Sequence, residues 1–308
     1  MKAIIYKSTG SWYIAKDEQG NVYNARIKGV LKIGNITSTN PIAVGDEVEM
    51  ELEDEKENTA IISNISDRRN YVARVSPHNK NQHHIIAANL DQSLLFATLK
   101  DPKTSQGFID RFLITCEAYH VPATIVFNKS DVYRAKELDK FAELEEVYQS
   151  IGYRVVLTSV LKNEGLDELK EILQDKTTLL SGHSGVGKSS LINAIFPELK
   201  LRTANVSGWS GKGMHTTTFA EMFDLPTGGS VIDTPGIREL GLVGIEKHEL
   251  SHYYPEMRRR LNDCQFNNCM HINEPGCGIK DAVSNNEIAI DRYASYLTIL
   301  DTMNDKKY

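Results

Sequence analysis

Leu179-Leu180-Ser181-Gly182-His183-Ser184-Gly185-Val186-Gly187-Lys188-Ser189-Ser190 decides how this chain is read. It fits G-x-x-x-x-G-K-S, with an apolar strand-like run before it and the helix-forming Leu191-Ile192-Asn193-Ala194-Ile195 after it. Glycines let a backbone fold around phosphate groups with its N–H groups pointing inward, and the following helix offers its positive N-terminal end. Gly182, His183, Ser184, Gly185, Val186, Gly187, Lys188, Ser189 and Ser190 are therefore expected to cradle a nucleotide's phosphates. Lys188 is expected to reach the β- and γ-phosphates as a catalytic group, and Ser189 to hold Mg²⁺.

Upstream, the apolar strand Ala123–Phe127 runs into Asn128-Lys129-Ser130-Asp131. A carboxylate at Asp131 can accept hydrogen bonds from the N1–H and 2-amino group of guanine, a donor pair that adenine lacks. Together with the phosphate loop, this points to GTP. Thr158-Ser159-Val160 follows the strand-like Arg154–Leu157 and is either a further guanine-contacting turn or a capping turn for the next helix.

Downstream, Ser230-Val231-Ile232-Asp233-Thr234-Pro235-Gly236 reads as a strand ending in D-x-x-G. Asp233 is placed to hold Mg²⁺ through water, and the Gly236 N–H to sense the γ-phosphate. His215-Thr216-Thr217-Thr218 lies in a glycine-rich stretch and offers hydroxyls, Thr217 among them, to Mg²⁺ and the γ-phosphate. Segments that order around a γ-phosphate and relax after hydrolysis are the usual switch design. Many GTPases place a glutamine after D-x-x-G to orient the attacking water, but here Ile237 follows, which cannot hydrogen-bond it. Intrinsic hydrolysis is expected to be slow. His215 either positions the water or packs against protein or RNA.

The order of these motifs is unusual. A GTPase ordinarily carries its phosphate loop first and N-K-x-D late, whereas here N-K-S-D precedes the loop. The chain reads as circularly permuted, which is feasible because domain termini usually lie close together at the surface. The D-T-P-G segment then leads almost directly into the C-terminal part of the chain.

Around this centre, strands alternate with helices from Asp91 onward, the pattern of a mostly parallel sheet covered on both faces. The first 65 or so residues alternate short β-rich runs with turns and predict a small antiparallel barrel. In the acidic run Asp46 to Glu57, Val48, Met50 and Leu52 alternate as in a strand with one face in water. Beyond about Val243 the chain reads as helical, interrupted by Cys264-x4-Cys269-x-His271-x5-Cys277. Three thiolates and an imidazole suit a closed, structural, tetrahedral Zn²⁺ site. Cys116, on an apolar helix face, is expected to be a packed core thiol. Trp12, Tyr13, Tyr23 and Tyr71 are candidates for base stacking or for the barrel core. Arg258-Arg259-Arg260 and Lys280 are candidates for RNA phosphates or for a solvated helix face.

Composition narrows the classes. The 308 residues carry 35 basic and 41 acidic side chains and a net charge of −6, so RNA contact must come from local patches. No apolar run is long enough to cross a bilayer and the start lacks a secretory apolar core, so a cytoplasmic protein is expected. Nothing demands more than a monomer.

The order of barrel, N-K-S-D, G-H-S-G-V-G-K-S-S, H-T-T-T, D-T-P-G and cysteine-histidine cluster resembles the circularly permuted, ribosome small-subunit-dependent GTPase A family, RsgA or YjeQ. The resemblance covers essentially the whole chain. It implies an all-β OB-fold at residues 1–68, a permuted α/β P-loop GTPase domain at 75–242 and a mainly α zinc-binding domain at 243–308. It also implies the small ribosomal subunit and its rRNA as partners, GTP and GDP as ligands, and a role in late small-subunit maturation. Met214 departs from the basic residue expected before the switch histidine. The alternative readings are a GTP-gated RNA-binding module, or a regulator of a non-ribosomal partner in which hydrolysis is incidental.

Overall fold

A computed structural model of the chain describes residues 1–27, 41–75, 83–201, 220–234 and 242–303. At the N-terminus, period-two burial builds β1 (Lys2–Ser8), β2 (Tyr13–Asp17), β3 (Val22–Ile27), β4 (Glu47–Asp54) and β5 (Thr59–Ile65). Antiparallel pairing of β1 with β2 and of β2 with β3, parallel pairing of β3 with β5, and the contacts β5–β4 and β4–β1 close these strands into a barrel. Its interior holds Ile5, Tyr13, Ala15, Val48, Met50 and Ile62. The β2–β3 turn forms because the Asp17 carboxylate accepts from the N–H groups of Gln19 at 3.0 Å and Asn21 at 2.8 Å.

Leu52 does not follow the expected alternation. Val48 and Met50 are buried, but Leu52 is 47% exposed: the pairing of β4 with β1 ends at Glu49, and beyond it β4 continues beside β5 alone. Tyr13 belongs to the core and Tyr23 packs against it, whereas Trp12 and Tyr71 are exposed.

A hairpin, β6 (Tyr71–Val75) and β7 (His83–Ala88), follows, and its Val72, Ile86 and Ala87 pack into the same apolar cluster as Leu95, Ile109 and Ile125. Strand and helix then alternate: β8 (Gln92–Ala97), α1 (Gln106–Ala118), β9 (Ala123–Phe127), α2 (Ala135–Ser150), β10 (Arg154–Leu157), α3 (Leu166–Leu173), β11 (Thr177–Ser181) and α4 (Lys188–Ile195). After them come β12 (Glu221–Asp224) and β13 (Ser230–Asp233). β10, β9, β8, β11 and β13 lie side by side and parallel, with β12 antiparallel beside β13. α1 and α2 cover one face of this sheet, packing through Phe112 and Leu144. α3 and α4 cover the other through Leu169 and Leu191. Burial on both faces explains the unbroken apolar run Leu94–Ala97 within β8.

β12 also pairs with β1 at Glu221 and Lys7, so barrel and parallel sheet merge into one sheet of 11 strands. The Lys7 ammonium meets the Glu221 carboxylate at 2.9 Å, and Tyr6 and Lys16 both hydrogen-bond the Asp224 carboxylate. At the C-terminus α5 (Pro255–Arg258), α6 (Gly278–Ser284) and α7 (Ile290–Thr302) pack around Leu250, Tyr254, Ile279 and Tyr296, and Ile114 of α1 enters the same cluster. Cys116 is buried in the core that α1 forms on the sheet.

Candidate nucleotide site and metal centre

The parallel strands β9, β10, β11 and β13 all deliver their carboxyl ends to one edge of the sheet, where open α/β folds bind ligands. Three sequence-predicted segments, 128–131, 158–159 and 182–190, begin there, and Asp233 closes β13 beside them. Asn128 joins the first to the third: its Nδ2 donates to the Val186 carbonyl at 2.9 Å, and its Oδ1 accepts from the Thr158 hydroxyl at 3.1 Å. Gly187 makes this approach possible. It lies at φ +90°, and a Cβ there would stand 2.5 Å from Asn128 Nδ2.

The guanine-reading segment is held from several sides. Lys129 adopts the left-handed conformation at φ 67° and its ammonium donates to the Asp101 carbonyl at 2.7 Å. Ser159 Oγ donates to Asp131 Oδ1 at 2.6 Å, which orients the carboxylate. The Ser130 N–H donates to the Thr158 carbonyl at 3.1 Å. Thr158 and Ser159 do not cap the next helix, α3, whose N-cap is Gly165; they brace Asn128 and Asp131.

In the phosphate loop, the Lys188 ammonium donates to the Gly182 carbonyl at 2.7 Å and the His183 carbonyl at 3.1 Å. Burial lowers its pKa below the usual lysine range, with Asp233 pulling the other way. Burial likewise raises Asp233 above the usual carboxylate range against the pull of Lys188. Both shifts record charges stripped of water and only partly compensated by one another, the condition in which a phosphate and its cation would stabilise them. Thr234 anchors the end of β13 by donating to the Leu180 carbonyl at 3.1 Å. His183 stacks on Phe108 of α1 with ring centroids 3.8 Å apart. His215, Thr217 and Gly236, with Met214 and Ile237, lie outside the described residues.

The second centre lies in the segment between α5 and α6. Ligand atoms of Cys264, Cys269, His271 and Cys277 all fall within 4.8 Å of one another. His271 Nδ1 is 3.6 Å from Cys264 Sγ and 3.4 Å from Cys277 Sγ. Zn–S and Zn–N bonds at a tetrahedral angle imply S···N edges of about 3.5 Å, so the donor set fits a zinc ion. Burial keeps the imidazole below its usual pKa, in the neutral form that ligates metal. Burial, together with the crowding of Cys277 and Cys264, pushes the Cys269 thiol up to about 12 even though a backbone N–H opposes it, and a bound cation would reverse that shift. The loop is fastened to α7 by Tyr293, whose hydroxyl donates to the His271 carbonyl at 2.6 Å, and by Tyr296, which donates to the Met270 carbonyl at 2.9 Å.

Of the basic triplet beside this centre, two members have protein partners. Arg258 pairs with Glu117 at 2.9 Å, and Arg260 pairs with Asp263 at 3.4 Å and with Glu287. Arg259 is exposed.

Sequence reading missed Lys162 and Glu164, which bind Ser130 from the loop after β10. It also missed Asp110, Glu256 and Arg292, which meet in the interior between α1, α5 and α7. The signal for the latter is present: Asp110 stands three and four residues before Leu113 and Ile114, on the apolar face of its helix. Among the described residues no helix is long and apolar enough to cross a membrane.

Comparison with known proteins agrees with this arrangement. The family described as RsgA GTPase matches residues 65–243, and the RsgA N-terminal domain matches 2–62. A protein of Cytophaga hutchinsonii named small ribosomal subunit biogenesis GTPase RsgA is 55% identical over 97% of this chain and 98% of its own. A Flavobacterium psychrophilum protein of the same name is 48% identical over 98% and 93%. Among solved structures, YjeQ from Thermotoga maritima matches at 36% identity with a TM-score of 0.77, covering 97% of each chain. YloQ, a circularly permuted GTPase, matches at 31% identity with a TM-score of 0.74, covering 100% of this chain and 96% of its own. With a closed N-terminal barrel, a permuted P-loop sheet and a C-terminal cysteine-histidine centre in one chain, the protein belongs to the RsgA family of circularly permuted GTPases.

Proposed function

We propose that this GTPase binds the small ribosomal subunit, acts in its late maturation, and hydrolyses GTP to GDP and phosphate with stimulation by the subunit. The names of its relatives support the ribosomal assignment. The observation that carries the nucleotide chemistry is the hydrogen bond from Asn128 to the Val186 carbonyl, because it ties the guanine-reading segment directly to the phosphate loop.

In this reading Asn128, Lys129, Ser130 and Asp131, with Thr158 and Ser159, take the base. Gly182 through Ser190 take the phosphates. Ser189, Asp233 and Thr217 serve Mg²⁺, which supplies charge neutralisation at the phosphates. Lys188, His215, Thr217 and Gly236 form the catalytic group around the γ-phosphate. Zn²⁺ on Cys264, Cys269, His271 and Cys277 is structural. The barrel at 1–68 and the zinc domain at 243–308 contact rRNA on either side of the GTPase domain at 75–242, through exposed groups such as Trp12, Tyr71 and Arg259. The protein works as a cytoplasmic monomer.

The test is GTP turnover by the purified protein alone, with isolated small subunits, and with large subunits. Strong stimulation by small subunits only is the expected result. Equal slow rates in all three overturn the stimulation and favour a GTP-gated binding module or a non-ribosomal partner.

A further inference from the structure

The loop after β10 is tied to the guanine-reading segment by more than its motif residues. Ser159 and Glu164 exchange backbone hydrogen bonds in both directions, each at 3.0 Å, and close residues 159–164 into a small ring. Within the ring the Lys162 N–H donates to Ser159 Oγ at 3.2 Å, and that same oxygen donates to Asp131 at 2.6 Å. Two side chains of the ring then reach across to Ser130, which is only 1% exposed. The Ser130 hydroxyl donates to the Glu164 carboxylate, and the Lys162 ammonium donates to the Ser130 carbonyl at 3.1 Å. The ring can close only because Gly165 follows it. Gly165 lies at φ +68°, and a Cβ there would stand 2.2 Å from the Leu157 carbonyl oxygen.

We infer that Glu164 is a positioning residue for guanine recognition, setting the Asp131 carboxylate by holding Ser130 with its side chain and Ser159 with its backbone. The inference rests on the reading of Asn128–Asp131 as the base site. Ser130 precedes Asp131 directly, so a hydrogen bond that fixes Ser130 fixes the backbone from which the carboxylate projects. Ser159 fixes the carboxylate itself. Lys162 and Glu164 each join the two restraints, and Glu164 is the one whose side chain accepts from the buried Ser130 hydroxyl. A carboxylate oxygen accepting a buried hydroxyl makes a charge-assisted bond, stronger and shorter than a neutral one.

The experiment compares kcat and KM for GTP and for inosine triphosphate, which lacks the 2-amino group, in the parent, Glu164→Ala, Glu164→Gln and Ser130→Ala proteins. ATP serves as the control nucleotide. Losing the side-chain bond is expected to raise KM for GTP roughly five- to tenfold in Glu164→Ala. kcat should be kept, and the preference for GTP over inosine triphosphate should shrink by a similar factor. Glu164→Gln, whose amide oxygen still accepts from Ser130, should stay within about twofold of the parent. Ser130→Ala removes the same bond while leaving the backbone ring intact, and should follow Glu164→Ala. It decides the matter alone if Glu164→Ala does not fold.

Unchanged KM and unchanged base preference in Ser130→Ala and any folded Glu164→Ala protein overturn the inference. So does a fall in kcat with no change in base preference, which marks a merely structural role. A parent that turns over GTP no better than inosine triphosphate and ATP overturns the guanine reading, and this inference with it.

Discussion

The Arg292 guanidinium of α7 is buried at 1% exposure against the carboxylate of Asp110 in α1, which is wholly buried. Arg292 also donates to Glu256 of α5 at 2.7 Å, and its guanidinium lies 4.5 Å from the centroid of the Tyr254 ring. Tyr148 of α2 donates its hydroxyl to the same Asp110 at 2.7 Å. Burial works against the arginine's charge, but the carboxylates of Asp110 and Glu256 prevail and hold its pKa well above the usual range. One cation thus joins the GTPase sheet's covering helices to the C-terminal helices.

Removing that cation strands two buried carboxylates. Arg292→Met is expected to cost about 3–5 kcal/mol, the usual penalty for breaking a buried ion pair from one side. The triple change Arg292→Met, Asp110→Leu and Glu256→Leu should recover much of it, since no charge is then left unpaired. Urea unfolding of the two variants beside the parent checks this. Equal stability of parent and Arg292→Met would show that the network contributes nothing.

Asp233 makes stability depend on pH. Its folded-state pKa is raised, chiefly by burial, so the folded chain takes up this proton at higher pH than the unfolded chain does. The stability that the proton supplies is complete below the ordinary carboxylate pKa and is lost as pH rises through the raised one. At pH 7 the nucleotide-free protein therefore bears the cost of a desolvated carboxylate. Asp233→Asn is expected to raise its melting temperature by about 2–4 °C, as roughly 1 kcal/mol would in a domain of this size. The gain should vanish towards pH 4, while Mg²⁺-dependent GTP turnover falls. Thermal scans across pH 4–8 without nucleotide decide it, and a gain independent of pH would mean that ionisation of Asp233 is not its source.

What the sequence disclosed and what it hid divide along a physical line. The strands Ala123–Phe127 and Arg154–Leu157 were legible to the residue, because apolar runs bounded by turn residues are local signals. The phosphate loop was legible because its chemistry demands glycines at fixed spacing. The exposed position of Leu52 was not, since it depends on where β1 stops pairing with β4. Nor was the Asp110–Arg292 pair, whose members are 182 residues apart and meet only when α7 packs on α1. Glu164 was hidden for another reason: a charged residue in a surface-like loop gives no hint that its partner is a buried serine.

Gly187 couples the two halves of the nucleotide site. Gly187→Ala demands a left-handed conformation of an alanine, at a cost of roughly 1–2 kcal/mol, and drives its methyl into Asn128 Nδ2. Relief requires Asn128 to move, which breaks its bond to the Val186 carbonyl. GTP affinity should therefore fall by more than the conformational cost alone explains, upwards of roughly tenfold. Affinity for a phosphate analogue lacking the base should fall less. Titration with a fluorescent guanine nucleotide, with inorganic pyrophosphate as competitor, separates the two, and equal losses for both would place the damage in the phosphate loop alone.

The zinc centre is expected to stabilise the C-terminal helices rather than the nucleotide site. Its ligands come from the segment 264–277, which has little regular structure of its own and leans on α7 through Tyr293 and Tyr296. Cys277 is itself part of the apolar cluster that holds Leu250, Tyr254 and Ile279. With zinc bound, three thiolates share one dication. Without it they must carry protons in a crowded, partly buried cluster, and the segment loses the bond network that fixes its path. The purified protein should contain about one Zn²⁺ per chain by elemental analysis. Cys264→Ser, which removes a half-buried ligand and leaves the packed Cys277 in place, should lose the metal and melt earlier. The nucleotide loops keep every hydrogen bond described above, so equilibrium GTP binding should survive in the variant at temperatures below that earlier transition. A metal-free parent that takes up no zinc on titration would remove the structural assignment, and loss of GTP binding in a folded Cys264→Ser protein would show that the C-terminal helices shape the nucleotide site directly.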